Sequence, residues 1–293
     1  MLIHRTAIVD PQARLGEGVR LGAFSVIGPG VVIGAGSEIG SHVVVERDTL
    51  IGAGCHVHSH AVIGGDPQDL SWRGGHSFCE IGAGTVIREY ATVNRGSHGE
   101  AVTRVGRQCL LMAGVHVAHD CQVGDRVIMA NLATLAGHVI VEERAMIGGL
   151  AAFHQFVRVG RLAMVGGTAG VMQDVPPFCM VQGAPPATVR GLNLVGLKRT
   201  GVDERSITAL KHCFRLMFRR GMTRENALAE IASSVEQTPE VAHFAAWFKA
   251  ASQRGVCRGE PSGMLHVIGG EGRGEESVEA EPPAIERGQA HSE

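Results

Sequence analysis

A six-residue period of aliphatic side chains is the feature that most constrains how this chain can fold. Stepping by six from Ile3 to Val171 visits 29 positions, and all but Asp69, Gly75 and Gly99 are aliphatic, Met or Phe. The chain as a whole is only 44% hydrophobic, so chance would fill about half of these positions. A short period sustained over so long a stretch is typical of repeat proteins, in which each repeat packs only on its neighbours.

The hexads are expected to consist of short strands joined by tight corners. The position after the aliphatic residue is often glycine, as at Gly28, Gly34 and Gly40, and we expect these glycines to supply the backbone angles of the corners. Three hexads make one triangular coil of 18 residues, and successive coils stack as parallel strands about 4.8 Å apart. The sequence therefore predicts a mainly β fold, a parallel β-helix over residues 1–190.

Two segments leave the six-residue register. Residues 65–79 and 95–104 are polar and rich in glycine, and they contain the three exceptions to the aliphatic pattern. We expect them to be loops that leave the prism, where functional residues are common.

The period becomes helical past residue 190. In the segment 203–221, one face of a predicted helix carries Ile207, Leu210, Phe214, Met217 and Phe218. Residues 191–255 are expected to form a small helical domain that covers the last coil and protects its open edge. Residues 256–293 are rich in Gly, Glu and Pro, which is typical of a disordered tail.

Composition and charge exclude several classes of protein. The formal net charge of −2 provides no basic field for nucleic acid. Charged residues occur within the first ten positions and no run of about 18 apolar residues occurs, so we expect no signal peptide, no membrane span and a cytoplasmic location. The seven cysteines include no C-x-x-C pair and are expected to be reduced thiols rather than disulfides or a zinc site.

The 18-residue coil converts sequence spacing into geometry. Because residues 18 apart share one angular position on successive coils, His119, Gly137 and Gln155 form a single column. A neutral imidazole is a suitable general base toward a hydroxyl. A backbone N–H beside a glycine one coil above would be placed to stabilise an oxyanion. That combination indicates acyl transfer.

More side chains converge on the same strip. His138 is predicted to lie over Asp120, and His154 and His116 fall beside the column. Imidazoles on adjacent coils would repel or desolvate one another when protonated, so a cluster of them indicates a functional site. Taken singly, Asp120 could merely satisfy a backbone amide. Other histidines are interpreted as ordinary surface residues, namely His42, His56, His58 and His60.

Seven motifs, in order along the chain, are similar to those of one known family. They are SHVVVE (41–46), NRG (94–96), HVAHDC (116–121), LAGHV (135–139), HQF (154–156), VGGTAGVMQDVPPF (165–178) and GLNLVGLKR (191–199). Together they resemble the bacterial UDP-N-acetylglucosamine O-acyltransferases that begin lipid A synthesis. The resemblance extends from about residue 2 to 250 and does not include the tail.

This resemblance implies an architecture and a set of partners. The β-helix would be left-handed, an exception to the usual right-handed crossover. The protein would assemble as a homotrimer with active sites between subunits. The acyl donor would be a phosphopantetheine-bearing acyl carrier protein, the acceptor UDP-N-acetylglucosamine, and no cofactor or metal would be needed.

The resemblance also implies roles for single residues. Through the AHD match His119 would be the general base, with Asp120 beside it in the catalytic group and Gly137 as the oxyanion donor. Asp69 would bind the sugar hydroxyls. Gly167 would form the floor of the acyl groove, where glycine admits a long chain of the 3-hydroxymyristoyl type. The other implied substrate-binding residues are His116, His138, His154 and Gln155 at the sugar and diphosphate, and Asn193 and Arg199 at the nucleotide or pantetheine end.

Two positions depart from the family pattern, and three alternatives stay open. Ser71 and Thr200 stand where the family often has Lys and Arg, so two cationic contacts to phosphate are missing. One alternative is a 3-amino sugar as the acceptor. A second is a trimer that holds zinc through histidines, as the carbonic anhydrases of this architecture do. The third is a scaffold without catalysis.

Overall fold

Short strands, most of them two residues long, repeat through the β-helical part of the chain in a computed structural model that describes residues 2–259. The first coils contain β1 (Leu2–Ile3), β2 (Ile8–Val9), β3 (Arg14–Leu15), β4 (Arg20–Leu21), β5 (Val26–Ile27), β6 (Val32–Ile33), β7 (Glu38–Ile39), β8 (Val44–Val45), β9 (Thr49–Ile51), β10 (His56–Val57) and β11 (Val62–Gly65). The middle coils contain β12 (Phe78–Ile81), β13 (Val86–Ile87), β14 (Thr92–Asn94), β15 (Val102–Val105), β16 (Leu110–Leu111), β17 (His116–Val117), β18 (Gln122–Val123), β19 (Ile128–Met129) and β20 (Thr134–Leu135). The last coils contain β21 (Ile140–Val141), β22 (Met146–Ile147), β23 (Ala152–Phe153), β24 (Arg158–Val159), β25 (Met164–Val165), β26 (Gly170–Val171), β27 (Cys179–Gln182) and β28 (Thr188–Leu192).

From β1 to β26, every third strand joins the same sheet, which gives the three walls of a prism. Among the described residues, sheet A has eleven strands and begins with β1, sheet B has nine and begins with β2, and sheet C has eight and includes β3. Pairing is parallel, with Ile27 beside Val45 one coil on, except for the final antiparallel pair β27 and β28. The predicted left-handed parallel β-helix of hexapeptide repeats is confirmed.

The aliphatic ladder lies inside the prism. Seven consecutive ladder residues, from Ile27 to Ile63, are at most 3% exposed. Full burial of an aliphatic side chain of this size contributes roughly 1.5–3 kcal/mol. Ile3 is 42% exposed because it belongs to the first coil, which has a neighbour on one side only.

The predicted reason for the glycines after the ladder residues was wrong. Gly34 does not adopt a left-handed backbone; a Cβ atom there would lie 2.4 Å from the backbone nitrogen of Ala53 on the next coil. Glycine is therefore required because successive coils approach closely. Other residues adopt the left-handed backbone conformation at the corners, such as Phe24 (φ 57°) and His42 (φ 58°), which are 18 positions apart.

Two loops leave the prism, at residues 66–77 and 95–101. They lengthen their coils, so that His56 pairs with Val86 and Thr92 pairs with His116 across 30 and 24 residues instead of 18. The second loop is shorter than the predicted 95–104, because residues 102–105 form β15.

Within residues 2–259, four helices follow the last strand. They are α1 (Leu194–Arg199), α2 (Glu204–Phe218), α3 (Arg224–Ser234) and α4 (Pro239–Lys249). The helix predicted over 203–221 starts after its N-cap Asp203, whose side chain accepts from the Ser206 N–H, and ends at Phe218, before Gly221. Its predicted face is buried at Ile207 and Leu210. None of the helices in residues 2–259 has the length and apolar character needed to cross a membrane.

The helical segment packs on the last coils of the β-helix. The guanidinium of Arg158 lies 4.6 Å from the Trp247 ring centroid, and His243 Nε2 lies 2.8 Å from Glu142 Oε2. All seven cysteines are free thiols, as predicted, and the structure shows that all seven are buried. Burial raises the pKa of the Cys79 thiol to about 12, so it stays protonated at neutral pH.

The first residues assigned to the tail are ordered, which corrects that boundary. Val256 bridges to Asp174 and Gly259 bridges to Val189, while Cys257 is 2% exposed. Residues 260–293, the remainder of the predicted tail, lie outside the described residues.

Candidate active site

His119 and Asp120 form a hydrogen-bonded pair at the corner between sheets B and C. His119 lies in the turn that follows β17 and is only 4% exposed. Its Nδ1 lies 2.8 Å from Asp120 Oδ2. An ionised carboxylate only accepts hydrogen bonds, so Nδ1 carries the proton and Nε2 keeps a lone pair. The pair therefore presents a ring nitrogen suited to take a proton.

Gly137 lies against the face of this imidazole, one coil further on. A Cβ atom at Gly137 would lie 2.4 Å from His119 Cε1 and 2.6 Å from Nε2. The predicted column is visible in the backbone, where the Phe156 N–H donates to the Gly137 carbonyl. Within residues 2–259, the N–H of Gly137 donates to no acceptor. A basic nitrogen and a free backbone donor are thus adjacent.

Asp120 accepts from a second source, the loop 95–101. The Ser97 N–H lies 3.2 and 3.3 Å from the two carboxylate oxygens, and the Asp120 N–H donates to Thr103 Oγ1 at 2.7 Å. Burial alone would raise the pKa of the Asp120 carboxyl, but the hydrogen bonds from Ser97 and His119 outweigh it and the pKa lies below its ordinary value. Asp120 thus binds a backbone amide and the imidazole together.

His138 lies over Asp120, as predicted, and is held between two rings. Its Nε2 is 3.6 Å from Asp120 Oδ2, and its ring meets the His119 ring edge-on at 5.2 Å. On its other side it stacks on Phe156 at 4.6 Å. Burial lowers the pKa of His138, although the Asp120 charge opposes that shift. Sequence reasoning missed Phe156, which the 18-residue spacing from His138 could have identified.

His116 belongs to β17 and projects from the outer face of sheet B. Its Nδ1 is 2.7 Å from Thr92 Oγ1. Burial, and secondly the charge of His119, lower the pKa of His116. The neutral form is therefore favoured at neutral pH.

His154 and Gln155 are exposed at the same corner. His154 Nδ1 lies 3.2 Å from the Gln155 carbonyl oxygen, which is a local contact. Both side chains remain accessible, in contrast to the buried His119.

Asp69 lies in the loop 66–77 and belongs electrostatically to this cluster. Hydrogen bonds from Ser71, including its N–H at 2.7 Å, lower the pKa of Asp69, and the charges of His119 and His138 lower it further. Ser71, the position that departs from the family pattern, supplies a backbone donor here.

Asn193 and Arg199 lie on α1 or at its start and are not part of the histidine cluster. Asn193 is 8% exposed; its Oδ1 accepts from the Gly196 N–H at 2.9 Å and its Nδ2 donates to the Leu162 carbonyl at 2.9 Å. Both groups are thus engaged in fixing the helix to the last coils. Arg199 is exposed at the end of α1. Thr200, the second departure, donates to the Gly196 carbonyl.

Gly167 lies across sheet B from His119, at the corner between β25 and β26. It is exposed, and a Cβ atom there would lie 3.3 Å from the Gly149 carbonyl oxygen. Ala152 pairs with Gly170 on the adjacent coil, and these two small residues form a strip beside Gly167. Pro185 covers the Gly170 end of this strip, since a Cβ atom on Gly170 would lie 2.3 Å from Pro185 Cγ.

Comparison with known proteins decides the family. A protein of Thermodesulfovibrio yellowstonii named acyl-[acyl-carrier-protein]--UDP-N-acetylglucosamine O-acyltransferase is 45% identical over 87% of this chain and 99% of its own length. One of the same name from Syntrophobacter fumaroxidans is 44% identical over 88% and 100%. The chain belongs to the UDP-N-acetylglucosamine O-acyltransferase family. The recognised resemblance is confirmed.

Profiles and solved structures agree with this family. The profile for domain 2 of UDP-N-acetylglucosamine O-acyltransferase matches residues 174–257, and the bacterial transferase hexapeptide profile matches residues 12–47 and 103–137. The crystal structure of the Moraxella catarrhalis UDP-N-acetylglucosamine O-acyltransferase superposes with a TM-score of 0.84 at 38% identity, covering 88% of this chain and 100% of that one. The Arabidopsis UDP-N-acetylglucosamine acyltransferase gives 0.74 at 33% identity, with coverage of 88% and 100%.

Proposed function

We propose that this member of the UDP-N-acetylglucosamine O-acyltransferase family moves a 3-hydroxyacyl chain from an acyl carrier protein thioester to the 3-hydroxyl of UDP-N-acetylglucosamine, the first step of lipid A biosynthesis. The names of its relatives support the substrates. The observation that supports the chemistry is the contact between the His119 imidazole and Gly137, which brings a proton acceptor and a backbone donor together.

His119 acts first as a base and then as an acid. Its Nε2 takes the proton of the sugar hydroxyl while the hydroxyl oxygen bonds to the thioester carbonyl carbon. The carbonyl oxygen becomes an oxyanion and accepts from the Gly137 N–H. When the C–S bond breaks, the pantetheine thiolate takes the proton back from the imidazolium. The products are the 3-O-acyl sugar nucleotide and the free carrier thiol, so no cofactor is consumed.

Asp120 fixes the imidazole and balances its charge. The Nδ1 hydrogen bond holds the ring in the tautomer that leaves Nε2 basic, and the carboxylate stabilises the imidazolium that forms. The Ser97 N–H keeps Asp120 ionised and oriented. Asp120 thus acts on the base rather than on the substrate.

The acceptor occupies the surface around this pair. Asp69 accepts from the sugar hydroxyls, and His116, His138, His154 and Gln155 contact the sugar and the diphosphate. Arg199, exposed on α1, contacts the nucleotide or the pantetheine, and Asn193 acts by capping α1 beneath it. The sites are completed by a neighbouring subunit in a homotrimer. Leu132 and Leu150, more than half exposed at one corner of the prism, are apolar surface that such an assembly would cover.

Product analysis tests this proposal. Purified protein is incubated with UDP-N-acetylglucosamine, or with its 3-amino analogue, and a set of acyl carrier protein thioesters, and the product is analysed by mass spectrometry before and after mild alkali. An alkali-labile ester at the 3-position is expected. An alkali-stable amide, formed only with the 3-amino sugar, would support the N-acyltransferase alternative instead of the proposed function. The absence of a product with both acceptors would contradict the proposal.

One observation favours a second candidate, a metal site. Ligand atoms of His119, Asp120 and His138 all lie within 4.8 Å of one another, a spacing that could hold one ion. In the proposed reaction these atoms bind each other instead. Elemental analysis of the purified protein, with activity measured after chelation, separates the two. Stoichiometric zinc with chelator-sensitive activity would support the metal site.

A further inference from the structure

Arg95 is a buried arginine at the root of both loops that approach the candidate active site. It directly follows β14 and is 2% exposed. An ionised side chain is rarely so buried unless partners compensate for its lost hydration. The proposed reaction gives Arg95 no direct task, so its partners indicate what it does.

Those partners are the last two residues of β11 and the first residue of the loop 66–77. One guanidinium nitrogen of Arg95 donates to the Gly64 carbonyl and another to the Asp66 carboxylate. The Arg95 N–H donates to the Gly65 carbonyl at 2.9 Å. The neighbouring Asn94 donates through Nδ2 to the Asp66 carbonyl at 2.8 Å. Asn94, the last residue of β14, and Arg95, directly after it, therefore bind three consecutive residues, 64–66, where the chain enters the loop.

The same short segment also reaches the catalytic pair. Two residues after Arg95, the Ser97 N–H binds the Asp120 carboxylate. Gly96, between them, admits no side chain, because a Cβ atom would lie 2.4 Å from the Ala101 carbonyl oxygen. Residues 94–97 thus connect the root of the Asp69 loop to the partner of His119 through few rotatable bonds.

We propose that Arg95 is a positioning residue, which sets the placement of Asp69 relative to His119 by clamping the root of the loop 66–77. This inference rests on the proposed role of Asp69 in holding the sugar. Arg95 contacts neither substrate nor reacting atoms. Its loss would leave the loop attached but free to shift, so the effect would fall on binding of the sugar nucleotide.

The exposed end of the clamp offers a test that spares the core. The Asp66 side chain is 70% exposed, so Asp66→Ala removes the charged partner of Arg95 without opening a cavity. The matched control is Glu80→Ala, which removes the exposed carboxylate that pairs with Arg104 at 2.7 Å on neighbouring strands. Arg95→Met is the direct variant, and its melting temperature reports whether it folds.

KM for UDP-N-acetylglucosamine and kcat are measured for each variant alone and combined with Asp69→Ala. We expect Asp66→Ala to raise KM about 10-fold, as for a lost charged hydrogen bond, with kcat and its pH profile nearly unchanged. In the Asp69→Ala background the further rise in KM should be less than about 2-fold, because Arg95 acts through Asp69. Glu80→Ala should leave KM unchanged.

Other outcomes are distinguishable. An unchanged KM in folded Asp66→Ala, or a rise that multiplies fully with that of Asp69→Ala, would overturn the positioning role. A lowered melting temperature with equal losses in every background would assign Arg95 to stability alone. If Asp69→Ala itself leaves KM unchanged, the proposed role of Asp69 fails instead, and the two failures are separate.

Discussion

The imidazole of His119 rests on the α-carbon of Gly137, so closely that a Cβ atom there would lie 2.4 Å from His119 Cε1. This contact explains why glycine occupies the position independently of any role for its N–H. It also makes the two proposed functions of the pair, proton transfer and oxyanion binding, separable by substitution.

Gly137→Ala should keep the backbone N–H but displace the imidazole. A misplacement of this size costs about 100-fold in rate, so we expect kcat to fall by about that factor. Gly191→Ala is the control, since its Cβ atom would come no closer than 3.9 Å to a neighbouring atom. A Gly137→Ala enzyme with normal kcat would show that His119 need not occupy the observed position.

His119→Ala should nearly abolish turnover while the fold is retained. General base catalysis contributes roughly 100- to 10,000-fold, and Asp120 does not project into the position of Nε2. Single-turnover rates and melting temperatures are measured beside His56→Ala, a half-buried histidine on sheet A at a distance from the cluster. Retention of most of the activity by His119→Ala would remove it from the role of base.

Stability should fall as pH decreases below neutrality. Burial lowers the pKa of His116 and of His138 from the ordinary value of 6.5, so below that pH the unfolded chain binds more protons than the folded one. The free energy of unfolding therefore decreases as pH falls from 6.5 through the folded pKa values. Asp120, whose pKa is lowered from 3.8, loses its contribution only at lower pH.

Melting temperatures between about pH 8 and about pH 5 test this dependence. His138→Gln should flatten the curve, because it removes one of the half-buried histidines whose pKa is lowered. Curves of equal slope for wild type and His138→Gln would contradict the assignment.

The six-residue period explains which features of this molecule could be predicted from its sequence. It gave the core ladder from Ile27 to Ile63 and the column of His119 over Gly137, because both depend only on 18-residue coils. It could not give the contacts of Ser97 or Arg95, since these residues lie where the loops leave the register and nonlocal hydrogen bonds place them. Asn193 could not be assigned correctly for a different reason. A motif match does not reveal that the side-chain oxygen is already used as a hydrogen-bond acceptor in capping a helix.

Truncation should locate the end of the folded unit. A chain ending at Gly259 should keep the wild-type rate and melting temperature, because the composition of residues 260–293 offers little apolar surface to bury. Ending at Val256 should lower the melting temperature, by roughly 2–4 °C per kcal/mol lost, since buried Cys257 and the Val189 N–H bond to the Arg258 carbonyl disappear. Equal melting temperatures for the two truncations would contradict this boundary.

Acyl chain length should depend on Gly167. Gly167 is exposed, and a Cβ atom built on it would lie 3.3 Å from the Gly149 carbonyl oxygen. A side chain at this position would therefore project outward with only a small adjustment of the backbone. If Gly167 forms the floor of the acyl groove, the wild type accepts a long donor of the 3-hydroxymyristoyl type, and Gly167→Met shortens the groove. At about 0.8 kcal/mol per buried methylene, losing three or four methylenes costs ~3 kcal/mol, roughly a hundredfold in selectivity. Competition between long and short acyl carrier protein thioesters should therefore shift toward the shorter donor in Gly167→Met and remain unchanged in Gly191→Ala. A wild type that already prefers short chains, or a Met variant with unaltered preference, would place the groove elsewhere than at Gly167.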